Sequence, residues 1–175
     1  MEILTLFLIG LSLSIDAFSM SLAYGLIGMP KNKMFLSSFI VGIFHFFMPI
    51  LGSLIGYNLL KSFRINPKYL IIAIIFILLI EMIKSLNEET KVMNMNIIGM
   101  IIFAFLVSLD SFTVGMGIYY ITNKPIYASI VFAVVSFSFT FLGYILGKYV
   151  SKRLEKISKY IGIIILLTLL VYFII

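Results

Sequence analysis

Ser14-Ile15-Asp16-Ala17-Phe18-Ser19 and Ser108-Leu109-Asp110-Ser111-Phe112-Thr113 are two versions of one six-residue word, 94 positions apart in a chain of 175 residues. Each sets an aspartate in the middle of an apolar run. A second pair, Gly52-Ser53-Leu54-Ile55-Gly56 and Gly143-Tyr144-Ile145-Leu146-Gly147, recurs at an offset of 91. Two ordered matches at nearly one offset, each centred on residues rare in apolar segments, outweigh chance recurrence of short hydrophobic words. They divide the chain into two related halves.

The surroundings of these words set the fold class. The chain is 62% hydrophobic and 11% charged, with a mean hydropathy of +1.19, whereas soluble domains run near ~45–50% apolar and ~25% charged. A water-soluble core of this length cannot hide so much apolar surface. Six apolar runs are each near the ~20 residues that a spanning helix requires. They are Ile3–Gly28, Met34–Leu60, Tyr69–Leu86, Ile97–Thr122, Ile126–Gly147 and Tyr160–Ile175. The first follows Glu2, has no basic leader and no small-residue cleavage site, and reads as a retained span. The expected fold is therefore an all-α polytopic membrane protein with six transmembrane helices in a single membrane domain, 1–175. Repeat one covers about 1–87 and repeat two about 97–175, with a polar loop at about 87–96 between them. The matched words place span one on span four and span two on span five. A three-span unit is odd, so the second copy must be inverted, an arrangement found in transporters with a ligand at mid-membrane.

Basic residues orient the chain. Nine of the 13 Lys and Arg residues fall in or beside connections one-two, three-four and five-six, and four fall in connections two-three and four-five. The richer side is expected to be cytoplasmic, which puts loop 87–96 inside and both termini outside a cell membrane. The net charge of +6 belongs to this bias. No basic cluster is interleaved with aromatics, so no nucleic-acid partner is expected. Without cysteine the chain has neither disulfides nor a thiolate metal site. No nucleotide-binding motif and no cofactor motif is present.

Asp16 and Asp110 each lie 13 residues into their spans, about 20 Å along a helix and close to the midplane. Such a carboxylate costs roughly 2.5–3.5 kcal/mol to insert, and intramembrane ionisable groups mark ion pathways by default. A purely structural reading has hydroxyl partners on the same helix faces, namely Ser12 and Ser19 beside Asp16, and Thr113 beside Asp110. No Lys or Arg falls at this depth in sequence. Either burial keeps the carboxyls protonated, or a cation joins them. Carboxylates, hydroxyls and carbonyls form a hard oxygen site suited to Mg, Ca or Mn.

Two further residues stand out. His45 sits at mid-depth in span two, and Pro49 removes the N–H that would bond the His45 carbonyl. One residue can thus offer an imidazole and a free carbonyl, as a ligand or proton relay, although a lone core histidine is as common. Glu81 lies about 9 Å from the end of span three. It reads either as an additional ligand or as an interfacial pair with Lys84. The Gly52/Gly56 and Gly143/Gly147 pairs predict close helix contact.

At Ser14-Ile15-Asp16-Ala17-Phe18, Ser108-Leu109-Asp110-Ser111-Phe112 and Met48-Pro49-Ile50-Leu51-Gly52, the sequence resembles the manganese efflux pumps of the MntP type. The resemblance extends over the whole chain and also reaches a sporulation-associated sister group. It implies a six-helix inverted repeat that exports Mn²⁺ as its transported substrate, with Asp16 and Asp110 as ion ligands. Two departures are His45, where the family often carries an acid or amide four residues before the proline, and Glu81, where it often carries a basic residue. The resulting expectation is a secondary transporter of divalent cations, exchanging them for protons and not an enzyme. Its partners are the metal ion, protons and the lipid bilayer. One alternative is a membrane scaffold or sporulation protein holding a structural cation. The other is an intramembrane aspartyl protease, which argues poorly because Gly115-Met116-Gly117 is followed by Ile118 and not by an aspartate.

Overall fold

The computed structural model describes residues 2–26, 28–63, 66–85, 96–147, 149 and 152–174. The elements are α1 (Glu2–Leu26), α2 (Lys31–Phe63), α3 (Pro67–Ser85), α4 (Ile97–Val107), α5 (Leu109–Gly117), a 3₁₀ turn (Ile118–Tyr120), α6 (Pro125–Gly147) and α7 (Lys152–Ile174). Among the described residues the chain is entirely helical, in six rods if α4 and α5 are taken as one. Four stretches are long and apolar enough to cross a membrane: Glu2–Gly25, Lys31–Asn58, Ile97–Tyr120 and Pro125–Gly147. The apolar parts of α3 and α7, Lys68–Ile80 and Lys159–Ile174, are shorter. At 1.5 Å per residue they reach only about 20–24 Å. The chain is a multi-pass membrane protein.

Its surface is inverted relative to that of a soluble protein. On α2, Phe35, Phe39, Ile43, Phe47 and Leu51 form an exposed stripe at four-residue spacing, while Ser37, Ser38, His45 and Ser53 are buried. Helices in lipid gain nothing by burying aliphatics. They associate through small residues and side-chain hydrogen bonds instead. Ser37 Oγ, for instance, shares a hydrogen bond of 2.8 Å with the Tyr144 hydroxyl of α6.

The close contacts fall where the glycine pairs predicted. A methyl group on Gly52 or Gly56 would strike the Phe112 and Met116 backbone of α5, and one on Gly143 or Gly147 the Phe18 and Leu22 backbone of α1. Thus α1 lies chiefly along α6, and α2 along α5 and α6, while α3 packs on α7. Two apolar clusters fill the bundle. One joins α1, α3, α5 and α7 through Leu6, Ile9, Ile71, Ile75, Val114 and Leu169. The other gathers Tyr24, Met34, Val41, Phe103 and Tyr144.

Two details differ from the sequence expectation. The fourth span is not one continuous helix but breaks at Ser108 (φ −106°, ψ −1°). There the Ser108 N–H and hydroxyl both donate to the Phe105 carbonyl, at 3.2 and 2.9 Å. Serine side chains that bond the preceding turn compete with the helical ladder in this way. The last helix starts at Lys152, inside the basic segment expected to be a connection. Loop 87–95 lies outside the described residues.

Candidate metal-ion site

Asp16 sits about four turns into continuous α1, and Asp110 in the first turn of α5 just past the break at Ser108. The break is held open by local bonds. Ser111 Oγ donates to the Ser108 carbonyl at 2.7 Å, and the Phe112 N–H reaches the same oxygen at 3.2 Å. The Ser111 N–H donates to Asp110 Oδ1 at 2.6 Å, which fixes the orientation of that carboxylate. At the corresponding point of α1, Ser14 Oγ bonds the Gly10 carbonyl at 2.6 Å and the helix runs on unbroken.

The two aspartates share one cavity of about 150 Å³, to which α1, α3, α4, α5 and α7 all contribute. Its polar lining is Ser12, Asp16, Asp110 and Thr113, and the rest is apolar, including Leu78, Val107 and Leu166. Among the described residues no basic side chain lines it. Ser12 is buried, and Thr113 Oγ1 donates to the Leu109 carbonyl at 3.2 Å, leaving its lone pairs for another partner. Such a chamber suits a small, hard cation. Two carboxylates supply charge, hydroxyls add neutral oxygens, and the cavity has room for water to complete the shell. Among the described residues no group of three or more His, Cys, Asp or Glu side chains comes together. Among the described residues, an ion here would be held by two acids, with neutral oxygens for the remainder.

Ser12, Asp16, Asp110 and Thr113 are thus brought together, while two other sequence candidates are not. Ser19 is buried on α1 but outside the cavity lining, and so is His45 on α2. His45 Nδ1 lies 3.0 Å from the Val41 carbonyl. A carbonyl can only accept, so Nδ1 carries the proton and Nε2 presents a lone pair. Nε2 has no hydrogen-bond partner, and neither does Ser136 Oγ, the other such buried atom among the described residues. Ser136 holds the position that corresponds to His45 at the offset of 91. The Glu81 side chain lies outside the described residues, and Lys84 is exposed.

Sequence reasoning did not single out Leu78, Val107 or Leu166 as cavity walls, because every span is rich in such residues. It also missed Ser108 as a joint. The Ser108-x-x-Ser111 spacing was the available signal, since each hydroxyl reaches back three residues.

The chain matches a family model described as "Putative manganese efflux pump" over residues 28–174. Relatives described as "Putative manganese efflux pump MntP" are 35% identical in Bacillus licheniformis (95% of this chain, 91% of the relative) and 34% in Bacillus pumilus (95% and 91%). A third, in Geobacillus kaustophilus, is 30% identical (95% and 92%). These are the names of transporters, not of enzymes. No solved structure matches.

Proposed function

The chain belongs to the manganese efflux pump family, and we propose that it is a secondary transporter that exports Mn²⁺ in exchange for protons, with Asp16 and Asp110 as the ion's acidic ligands. One observation carries this reading. The aspartates of the two matched words, 94 positions apart, line a single cavity with Ser12 and Thr113.

The inverted repeat is part of the proposal. Gly52 faces Phe112 and Gly56 faces Met116, just as Gly143 faces Phe18 and Gly147 faces Leu22. Shifting each residue by the offset of its own word converts one set of contacts into the other. Lys68-Tyr69 near the start of α3 and Lys159-Tyr160 in α7 extend the correspondence to the third helix of each half, again at 91. Only the second copy is broken beside its aspartate. A discontinuous helix at an ion site is a recurrent transporter device, since its free carbonyls can face the cation.

The energetics favour a counter-ion. Moving a divalent cation out against 100 mV costs about 4.6 kcal/mol, at ~2.3 kcal/mol per charge. Inward proton flow can drive this if protons and metal compete for the same oxygens. Burial favours protonated carboxyls, and a bound cation favours ionised ones. His45, whose Nε2 has no hydrogen-bond partner, serves as a second proton site outside the cavity. Both termini face outward.

Proteoliposomes test the proposal. An imposed pH gradient should drive Mn²⁺ flux with protons moving in step, and Asp16→Asn or Asp110→Asn should each lower that flux at least tenfold without loss of folded protein. Flux indifferent to the pH gradient removes the exchange mechanism. Near-normal flux in either variant removes that aspartate from the site.

A further inference from the structure

Beyond the ion cavity, two more hollows lie along the same seam of α1, α3, α5 and α7. Next to the cavity is an apolar void of about 10 Å³, walled by Ile9, Ile71, Ile75, Val114 and Leu169 and sharing Ser12 with it. Those five residues are at most 3% exposed. One helical turn further out on α1, α3 and α7 comes a wider hollow with Glu2, Thr5, Lys68, Tyr120 and Tyr172 in its wall. Thr5, Ile9, Ser12 and Asp16 therefore mark successive levels on α1. Lys68, Ile71, Ile75 and Leu78 do so on α3, and Phe173, Leu169 and Leu166 on α7.

We infer that the divalent cation leaves the Asp16/Asp110 cavity along this seam, through a dry collar of Ile9, Ile71, Ile75, Val114 and Leu169, into an exit vestibule at the end of the bundle that bears the termini. This rests on the exporter reading. From Thr5 to Ser12 the path is about 10 Å long. A void of about 10 Å³ sits at the lower limit for holding one water, and apolar voids stay dry. A hydrated cation cannot cross such a constriction, so the collar closes the exit by dewetting.

The vestibule has the chemistry of a release chamber. Its Lys68 ammonium donates to the Ile174 carbonyl at 3.3 Å and offsets the charge of Glu2. Among the described residues, a cation arriving there meets no net negative charge to hold it. The collar is closely packed at its α5 side. Gly117 of α5 packs directly on Ile71 of α3, with no side chain of its own between the two backbones.

The chain contains no cysteine, so single cysteines can be read without background. A charged, membrane-impermeant thiol reagent applied on the terminal side should label Thr5→Cys and Tyr120→Cys. It should label Ile75→Cys and Leu169→Cys at least tenfold more slowly. Ile75→Ser and Val114→Ser should wet the collar and raise the passive Mn²⁺ leak at least tenfold without a pH gradient. Equal labelling at positions 5 and 75, or folded serine variants that leak no faster than wild type, would overturn the route. If wild-type export then still depends on Asp16 and Asp110, the exporter reading stands without it. Absence of Mn²⁺ transport by the wild-type chain would overturn both.

Discussion

Gly56→Ala adds one methyl group where α2 meets α5, and the structure sets the size of the effect. The new carbon would lie 2.6 Å from Met116 Cα and 2.7 Å from its carbonyl carbon, and closer still to the carbonyl oxygen. Carbon pairs rest at ~3.5–4.0 Å, so the two helices must separate by about 1 Å. Backbone atoms cannot rotate away as a side-chain tip can, and overpacking of this kind costs about 1–3 kcal/mol. Alanine is better than glycine inside a helix by about 1 kcal/mol, which offsets part of that cost. Gly10→Ala separates the two effects, because its closest neighbour is a side-chain atom, Phe132 Cδ1 at 3.1 Å. There the propensity gain should cancel a smaller clash. Thermal unfolding in detergent should thus show Gly56→Ala and its counterpart Gly147→Ala losing up to about 8 °C, at ~2–4 °C per kcal/mol for a chain of this size. Gly10→Ala should stay within about 2 °C of wild type. Wild-type melting of both Gly56→Ala and Gly147→Ala would refute the interleaved packing of the two halves.

Other consequences are read more simply. Tags on both termini should be reachable from outside the cell, and a protected tail would reverse the orientation drawn from the basic residues. His45 does not line the cavity, so His45→Leu should leave the Mn²⁺ dissociation constant within about twofold, by the rule that distant sites act independently. A tenfold weakening measured by calorimetry would bring the imidazole into the ligand set. Cells expressing the chain should hold less manganese than cells expressing Asp110→Asn. Equal metal content by mass spectrometry would favour a scaffold with a structural cation.

How much of this was legible in the sequence depends on how rare each signal is in an apolar chain. Asp16 and Asp110 stand out because a carboxylate at mid-span is costly, and both line one cavity. The glycine pairs were equally readable, since a missing side chain in a spanning helix signals contact, and all four meet backbone. Ser12 and Thr113 followed from helical spacing, but Ser19, on the same face by that rule, lies beyond the cavity. Spacing gives a face, whereas the crossing of neighbouring helices decides which turn of it meets the chamber. The break at Ser108 was hidden because serine is common in these helices and most of its hydroxyls bond the preceding turn without consequence. The collar could not be seen at all. Ile9, Ile75 and Val114 differ from dozens of other aliphatic residues only in where the folded chain places them.

Manganese binding to the purified protein tests the central claim most directly, because it needs neither a gradient nor a known orientation. Titration followed by the Mn²⁺ electron paramagnetic resonance signal should show one ion bound per chain. Asp16→Asn and Asp110→Asn should each weaken binding at least tenfold while melting like wild type. Undiminished binding in both folded variants would contradict the account.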